Sequence, residues 1–145
     1  MKSSKQEIVI RHAARDIYDI VLDIEKYPEF IPWCNSINII SKSKDEIFAD
    51  MIVDHKYFVP QKFTSHVLFN SKKLKINTNY IEGPLKNLKT EWLFKILEPN
   101  KSKVLFSVKF EFQKFFHQKL AEMFFSLIEN KMIDSFKKRS EEILD

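Results

Sequence analysis

The sequence predicts an α+β fold in which a curved antiparallel sheet of about seven strands wraps around one long C-terminal helix. Apolar residues alternate with polar ones over most of 36–112, as in half-buried strands. The segments between the alternating runs are too short for crossover helices, so neighbouring strands must be antiparallel. Residues 115–144 contain no glycine or proline, as expected of a long helix. Together these features predict a helix-grip architecture with two short helices after the first strand.

Six strands are predicted in the central region, each bounded by a polar or Gly/Pro-containing turn. They are 36–41, 46–53, 61–70, 73–81, 88–97 and 103–112. The alternation is clean in the last of them, where Phe106, Val108 and Phe110 are separated by Ser107 and Lys109, with Leu105 as the exception. One face of the sheet should therefore be covered and the other solvated.

The N-terminal region is predicted to hold the seventh strand and both short helices. The strand covers 7–11, and a helix over 13–26 carries an apolar stripe that includes Ile17, Val21 and Ile24. Pro28 disfavours helical geometry for the residue before it, so we expect this helix to end there. A second helical turn is predicted over 29–33.

The long C-terminal helix is predicted to have two apolar faces. One carries Ala121, Phe125, Ile128, Met132, Phe136 and Ile143; the other carries Phe116, Leu120, Met123, Phe124 and Leu127. Covering a sheet requires a single stripe, so the second face needs another partner. Either it packs against the N-terminal helices, or Leu120, Met123, Phe124 and Leu127 form a docking or portal surface.

Composition restricts the classes of protein that this chain can be. Its 145 residues show no internal boundary, so we expect a single domain over 1–145. The net charge of +4 comes almost entirely from lysine, either as ordinary surface charge or as attraction to anionic lipid or ribosomal RNA. Cys34 is alone, which excludes a disulfide framework within the chain. With no signal-peptide pattern and no transmembrane segment, we expect a cytoplasmic protein that can bind peripherally to the inner membrane.

The sequence lacks the patterns that usually carry catalysis. The four histidines show no metal-ligand spacing, so we expect no metal site. Gly83 is the only glycine, which excludes glycine-rich phosphate loops. Neither Cys34 nor any serine lies in a nucleophile motif. We therefore expect a binding protein with no catalytic residues and no required cofactor. The lysines are dispersed and no aromatic RNA-binding signature is present, so we expect no sequence-specific binding of nucleic acid.

Two segments carry a family resemblance. The first runs from Tyr27 to Cys34 and reads Tyr-Pro-Glu-Phe-Ile-Pro-Trp-Cys, and the second contains Gly83 and Pro84. The motif residues are Tyr27, Pro28, Phe30, Pro32, Trp33, Cys34, Gly83 and Pro84. With these residues, the chain resembles the coenzyme Q-binding START-like family of the polyketide cyclase/START superfamily, which includes a bacterial branch of ribosome association toxins.

The resemblance implies a START-like (Bet v 1-like) lipid-binding domain that carries ubiquinone or a similar isoprenoid lipid without catalysis and supports respiratory electron transfer. The bacterial branch implies an alternative, a protein that binds the large ribosomal subunit and inhibits translation. A third option is a cyclase or hydrolase on the same scaffold. The sequence departs from the family at His66, commonly arginine, and at Leu85, commonly phenylalanine.

A lipid carrier needs a dry pocket with few polar groups. We expect a cavity of roughly 300–1,000 Å³ between the helix and the sheet. Its predicted lining is Trp33, Phe63, Tyr80, Trp92, Phe94, Phe106, Phe110, Met132 and Phe136. The hydroxyl of Tyr80, or that of Thr78 or Thr90, could donate a hydrogen bond to a quinone carbonyl.

Overall fold

A computed structural model describes residues 2–55, 58–114 and 118–145, and it confirms the predicted fold class. The strands are β1 (Lys2–Ile10), β2 (Cys34–Lys42), β3 (Glu46–His55), β4 (Phe58–Asn70), β5 (Lys75–Glu82), β6 (Leu85–Glu98) and β7 (Lys101–Phe112). They form one antiparallel sheet in the order β1-β7-β6-β5-β4-β3-β2. Helix α1 (Ala14–Leu22) and a 3₁₀ helix (Ile24–Glu29) follow β1, and helix α2 (Gln118–Leu144) ends the chain.

The N-terminal helices differ from the prediction in their bounds. The α-helix ends at Leu22, four residues before the predicted end at 26, and the second helix is the 3₁₀ segment at Ile24–Glu29 rather than 29–33. Pro28 lies inside that 3₁₀ helix. The early end has a local cause, because the Tyr27 hydroxyl donates a hydrogen bond to the carbonyl of Val21. That carbonyl belongs to the last turn of α1 and would otherwise accept a bond from a continuing α-helix.

Helix α2 presents one apolar stripe to the sheet. Its buried residues are Ala121, Phe124, Ile128, Phe136 and Ser140. The prediction placed Phe124 on an opposite face, which is wrong. Three residues advance a helix by about 300°, so Phe124 lies only about 60° from Ala121 and within one stripe. Ile143, assigned to the covered side, is 50% exposed near the C-terminal end of the helix.

The core lies between α2 and the concave face of the sheet. The register puts Trp92 beside Ile76 on one side and Phe106 on the other, and all three are buried. Helix α1 packs at the β6–β7 side, where the Tyr18 ring contacts the Phe94 ring edge-on at 5.7 Å between centroids. No helix within the described residues is long and apolar enough to cross a membrane.

Gly83, in the turn between β5 and β6, has a backbone conformation that other residues rarely adopt. Its φ is +154°, and a Cβ there would lie 2.9 Å from the Lys62 carbonyl oxygen and 3.0 Å from the Tyr80 ring. We expect Gly83→Ala to lower the free energy of unfolding by about 1–3 kcal/mol, since strain and close backbone contact add. Denaturant unfolding measures this. The control is Glu82→Ala, an exposed position in the same hairpin, and equal stability of the two variants would contradict the account.

Candidate functional site

A cavity of about 140 Å³ lies between α2, the 3₁₀ helix and the concave face of the sheet. Its lining is almost entirely apolar and consists of Ile24, Tyr27, Trp33, Ile37, Ala49, Met51, Val53, Phe63, Ser65, Val67, Ile76, Thr78, Leu88, Thr90, Trp92, Phe106, Phe124, Ile128, Met132 and Phe136. The cavity is smaller than the predicted range. An apolar cavity of about 150 Å³ binds benzene, so this space suits a single ring rather than a long chain.

Aromatic side chains make up one wall of the cavity. Trp92 contacts Phe106 at 4.4 Å and Phe136 at 4.9 Å between ring centroids. Phe63 stacks on Phe124, with centroids 5.8 Å apart and planes at 5°. These contacts hold the rings in fixed orientations and present their surfaces to the cavity.

Three side chains that carry a hydroxyl, those of Ser65, Thr78 and Thr90, line the sheet side of the same cavity. Thr78 and Thr90 face each other directly across β5 and β6, and Ser65 lies on the adjacent strand β4. Within the described residues, none of the three side chains makes a hydrogen bond in this structure. A hydroxyl can donate one hydrogen bond and accept two, so these groups are available to a carbonyl-bearing ligand.

The predicted lining residues fall into two groups. Trp33, Phe63, Trp92, Phe106, Met132 and Phe136 line the cavity, and Tyr80, Phe94 and Phe110 do not. The Tyr80 hydroxyl donates to the Leu85 carbonyl at 2.7 Å and accepts from the Leu85 amide at 3.0 Å, so it closes the β5–β6 turn. Phe94 packs against Tyr18 beneath α1, and Phe110 packs against Phe112 and Phe125. These three aromatics are structural.

Several lining residues were missed by the prediction, five of them on strands β3 and β4. Ala49, Met51 and Val53 alternate along β3, and Ser65 and Val67 continue the face of Phe63 on β4. The signal was present, because residues two apart on a strand share a face. A prediction made up mainly of aromatic residues overlooked it.

The predicted docking surface on α2 is not supported at its central residue. Phe124 is 8% exposed and lines the cavity, so it packs against the sheet instead of facing a partner. Its neighbour Leu127 packs partly against the core, and Met123 is half-buried. The side chain of Leu120, together with Phe116, lies outside the described residues. Phe124 fits closely within the helix–sheet layer because its ring lies between Phe63, Phe110 and Phe112.

Two of the family-motif residues line the cavity and the others lie outside its lining. Tyr27 and Trp33 line it, and Cys34 is buried at the start of β2. The ring of Phe30 lies 5.2 Å from that of Phe136, with the Arg139 guanidinium 5.0 Å above it. Pro28 lies inside the 3₁₀ helix and Pro32 follows it, whereas Gly83 and Pro84 form the turn between β5 and β6. Arg139 also pairs with Glu29 at 3.1 Å, which joins α2 to the 3₁₀ helix.

His66 lies outside the cavity, on the outer face of the sheet. Its Nε2 is 2.7 Å from Glu46 Oε2, and its ring stacks on Phe48 with centroids 4.2 Å apart. The departure from arginine at this position therefore affects the outer face of the sheet and not the cavity.

Cys34 is 3% exposed, and burial raises the pKa of its thiol to about 11 from the ordinary value of 9.0. At pH 8 the native thiolate fraction should be about a hundredfold below that of the unfolded chain. We expect iodoacetamide to alkylate native protein far more slowly than urea-unfolded protein. Mass spectrometry measures the extent of alkylation at this single cysteine. Because the native state retains its proton longer, this thiol's contribution to stability should disappear as pH rises from about 9 to 11. Comparable alkylation rates in both states would contradict the burial of Cys34.

The chain matches a described protein family and named relatives along most of its length. Residues 10–137 match the family described as polyketide cyclase / dehydrase and lipid transport. The ribosome association toxin RatA of Rickettsia prowazekii is 29% identical over 99% of both chains. The mitochondrial coenzyme Q-binding protein COQ10 of Drosophila melanogaster is 32% identical over 94% of this chain, which spans 59% of that relative.

Solved structures share the fold at much lower sequence identity. The Zhui aromatase/cyclase from Streptomyces sp. R1128 superposes with a TM-score of 0.87 at 13% identity, over 99% of this chain and 96% of the other. A START superfamily protein from Mycobacterium smegmatis superposes with a TM-score of 0.83 at 14% identity, over 97% of this chain and 98% of the other. These similarities establish the architecture. On the family match over most of its length, the chain belongs to the polyketide cyclase / dehydrase and lipid transport family.

Proposed function

We propose that this chain is a non-catalytic carrier that binds the ring of an isoprenoid quinone, ubiquinone or a close analogue, between α2 and the sheet. The observation that carries the proposal is the set of three hydroxyls, on Ser65, Thr78 and Thr90, in an otherwise apolar cavity. A quinone ring has flat apolar faces and two carbonyl acceptors. The aromatic wall would contact the faces, and a hydroxyl would donate to a carbonyl.

The charge of the lining supports binding rather than catalysis. Among the described lining residues, Tyr27 alone is ionisable in the usual sense. Its hydroxyl is bonded to the Val21 carbonyl, and burial raises its pKa well above the ordinary range. General acid–base catalysis requires a group that exchanges protons near the working pH. The proposed role is therefore to shelter a ligand from water and to support respiratory electron transfer by carrying it.

The cavity volume restricts how such a ligand would bind. About 140 Å³ holds an unsubstituted ring such as benzene, so the methoxy and methyl groups of a ubiquinone ring, and its isoprenoid tail, would need additional space. Each CH₂ group left in water is unfavourable by about 0.8 kcal/mol, so a long tail also needs cover. The ring would therefore occupy the cavity, and α2 would move outward to accommodate the first tail units. A membrane would cover the rest of the tail during transfer.

Organic extraction of the purified protein, followed by mass spectrometry, tests the proposal. We expect an isoprenoid quinone to co-extract with the native chain and to be depleted from Ala49→Met, whose longer side chain would occupy the cavity. A quinone recovered equally from both proteins would come from contaminating membrane. Its absence from protein prepared from quinone-containing cells would count against a carrier.

A second candidate function is association with the large ribosomal subunit. Its support is the similarity to RatA, which extends over 99% of both chains. Co-sedimentation with purified large subunits in a sucrose gradient tests it. Binding that persists in Ala49→Met would show that this function does not need the cavity.

A further inference from the structure

The outer face of the sheet, opposite the cavity, brings like charges into direct register. Lys89 on β6 is the cross-strand partner of Lys109 on β7, and Lys95 is the partner of Lys103. Like charges directly opposite each other destabilise a sheet. Two such pairs occur between the same two strands.

The carboxylates of this face do not neutralise the lysines of the first pair. Glu91 pairs with Lys75 at 3.6 Å, and Glu111 pairs with Lys86 at 3.3 Å. Glu7 lies 4.0 Å from Lys103. On the outer face of β1, β6 and β7, four exposed lysines make no ion pair with the described residues: Lys5, Lys89, Lys95 and Lys109. We call these four residues the lysine face.

The neighbours of Lys89 and Lys109 are hydrogen-bonding groups. One register row across β1, β7, β6 and β5 reads Ser3, Lys109, Lys89 and Asn79. Strands lie about 4.8 Å apart, so the row extends over roughly 14 Å. Hydroxyls, amides and lysines are the groups with which proteins contact phosphate and sugar. Within these four strands the row contains no apolar side chain to insert into a lipid bilayer, which interfacial binding normally requires. An exposed apolar side chain on the same face, Val9, is the partner of Lys103.

We propose that the lysine face binds the phosphodiester backbone of RNA. The contacts would be independent of base sequence, because lysine acts as a point charge and offers no planar fork for reading bases. Repulsion between Lys89 and Lys109 in the free protein would be relieved when a phosphate lies between them. The inference goes beyond the carrier proposal and gives ribosome association a specific surface. The cavity lies on the other face of the sheet, so the two sites should fail independently.

The test compares two charge-matched double variants of the full chain. Lys89→Gln with Lys109→Gln removes the central pair, and Lys42→Gln with Lys44→Gln removes two exposed lysines at the far edge of the sheet. Binding of a fluorescent oligouridine is measured by anisotropy over a range of salt concentrations. The central variant should bind about tenfold more weakly, and its slope of log K against log salt should fall by about 1.4. The edge variant should stay within about twofold of the unmodified chain.

Three outcomes would overturn the proposal. The first is no RNA binding by the unmodified chain at low salt, and the second is equal weakening in both variants. The third is a selective loss of binding to vesicles rich in anionic phospholipid while RNA binding is unchanged, which would assign the lysines to a membrane. Thermal unfolding of the central variant should be unchanged or shifted slightly upward, because the repulsion between the two lysines is removed. Its quinone titration should be unchanged, which separates this test from failure of the carrier proposal.

Discussion

Trp92→Ala should lower the free energy of unfolding by about 3–5 kcal/mol, the range for removing a large buried aromatic side chain. Trp92 is 5% exposed and lies in the middle of β6. Its ring contacts Phe94, Phe106 and Phe136, so it joins two strands to α2. Truncation to alanine would add the volume of the removed indole ring to the existing cavity. The surrounding rings could not fill this enlarged space. Denaturant unfolding gives the measurement.

The matched control for this prediction lies on the same strand. Ile96 is 70% exposed, so Ile96→Ala should change stability by less than about 0.5 kcal/mol. A loss below about 1 kcal/mol in Trp92→Ala would mean that the register assigned to β6 is wrong by one residue. A shift of one residue exchanges the two faces of a strand, so Trp92 would then face solvent.

Ala49→Met should reduce quinone affinity by at least about tenfold with a modest effect on stability. Ala49 lines the cavity from β3, opposite Ser65 on β4. The added thioether chain would occupy much of a space of about 140 Å³. Methionine is flexible enough to fill an irregular gap, so overpacking should cost only about 1–3 kcal/mol. Titration with a short-tailed ubiquinone, alongside thermal unfolding, measures both effects.

Ala121→Met provides the comparison for general overpacking. Ala121 is 6% exposed on α2 and does not line the cavity. Ala121→Met should destabilise the fold by an amount similar to Ala49→Met while leaving the quinone affinity nearly unchanged. Equal loss of affinity in both variants would mean that binding responds to overall packing, and unchanged affinity in Ala49→Met would place the ligand elsewhere.

The fold was predictable because its signals are local and repeated. Period-two alternation and short turns are sufficient to indicate an antiparallel sheet, and the C-terminal segment reads as one helix. The N-terminal helix end was not predictable in the same way. It depends on the bond from the Tyr27 hydroxyl to the Val21 carbonyl, which links positions six residues apart through a side chain. The apolar stripe alone continues to Ile24 and conceals this boundary.

The site was only partly predictable because a cavity is a property of packing. Trp92 and Phe94 share a face of β6, yet Trp92 lines the cavity and Phe94 lies under α1. Which of them faces empty space depends on where α1 and α2 cross the sheet. Tyr80 shows the same limit. Its hydroxyl donates a hydrogen bond to the carbonyl of Leu85, five residues away, and accepts one from the amide of Leu85. Counting every second residue from Phe63 along its strand would have found Ser65 and Val67. The volume of the cavity, by contrast, depends on where the helices lie over the sheet.

Tryptophan fluorescence offers the most direct test that a quinone ring enters the cavity. The chain has two tryptophans, Trp33 and Trp92, and both line it. Quinones accept energy or electrons from excited indoles at close range, so a bound ring should quench this emission. We predict saturable quenching by a short-tailed ubiquinone at one molecule per chain, with much weaker quenching in Ala49→Met. Quenching that rises linearly without saturation, or is identical in Ala49→Met, would contradict binding in the cavity.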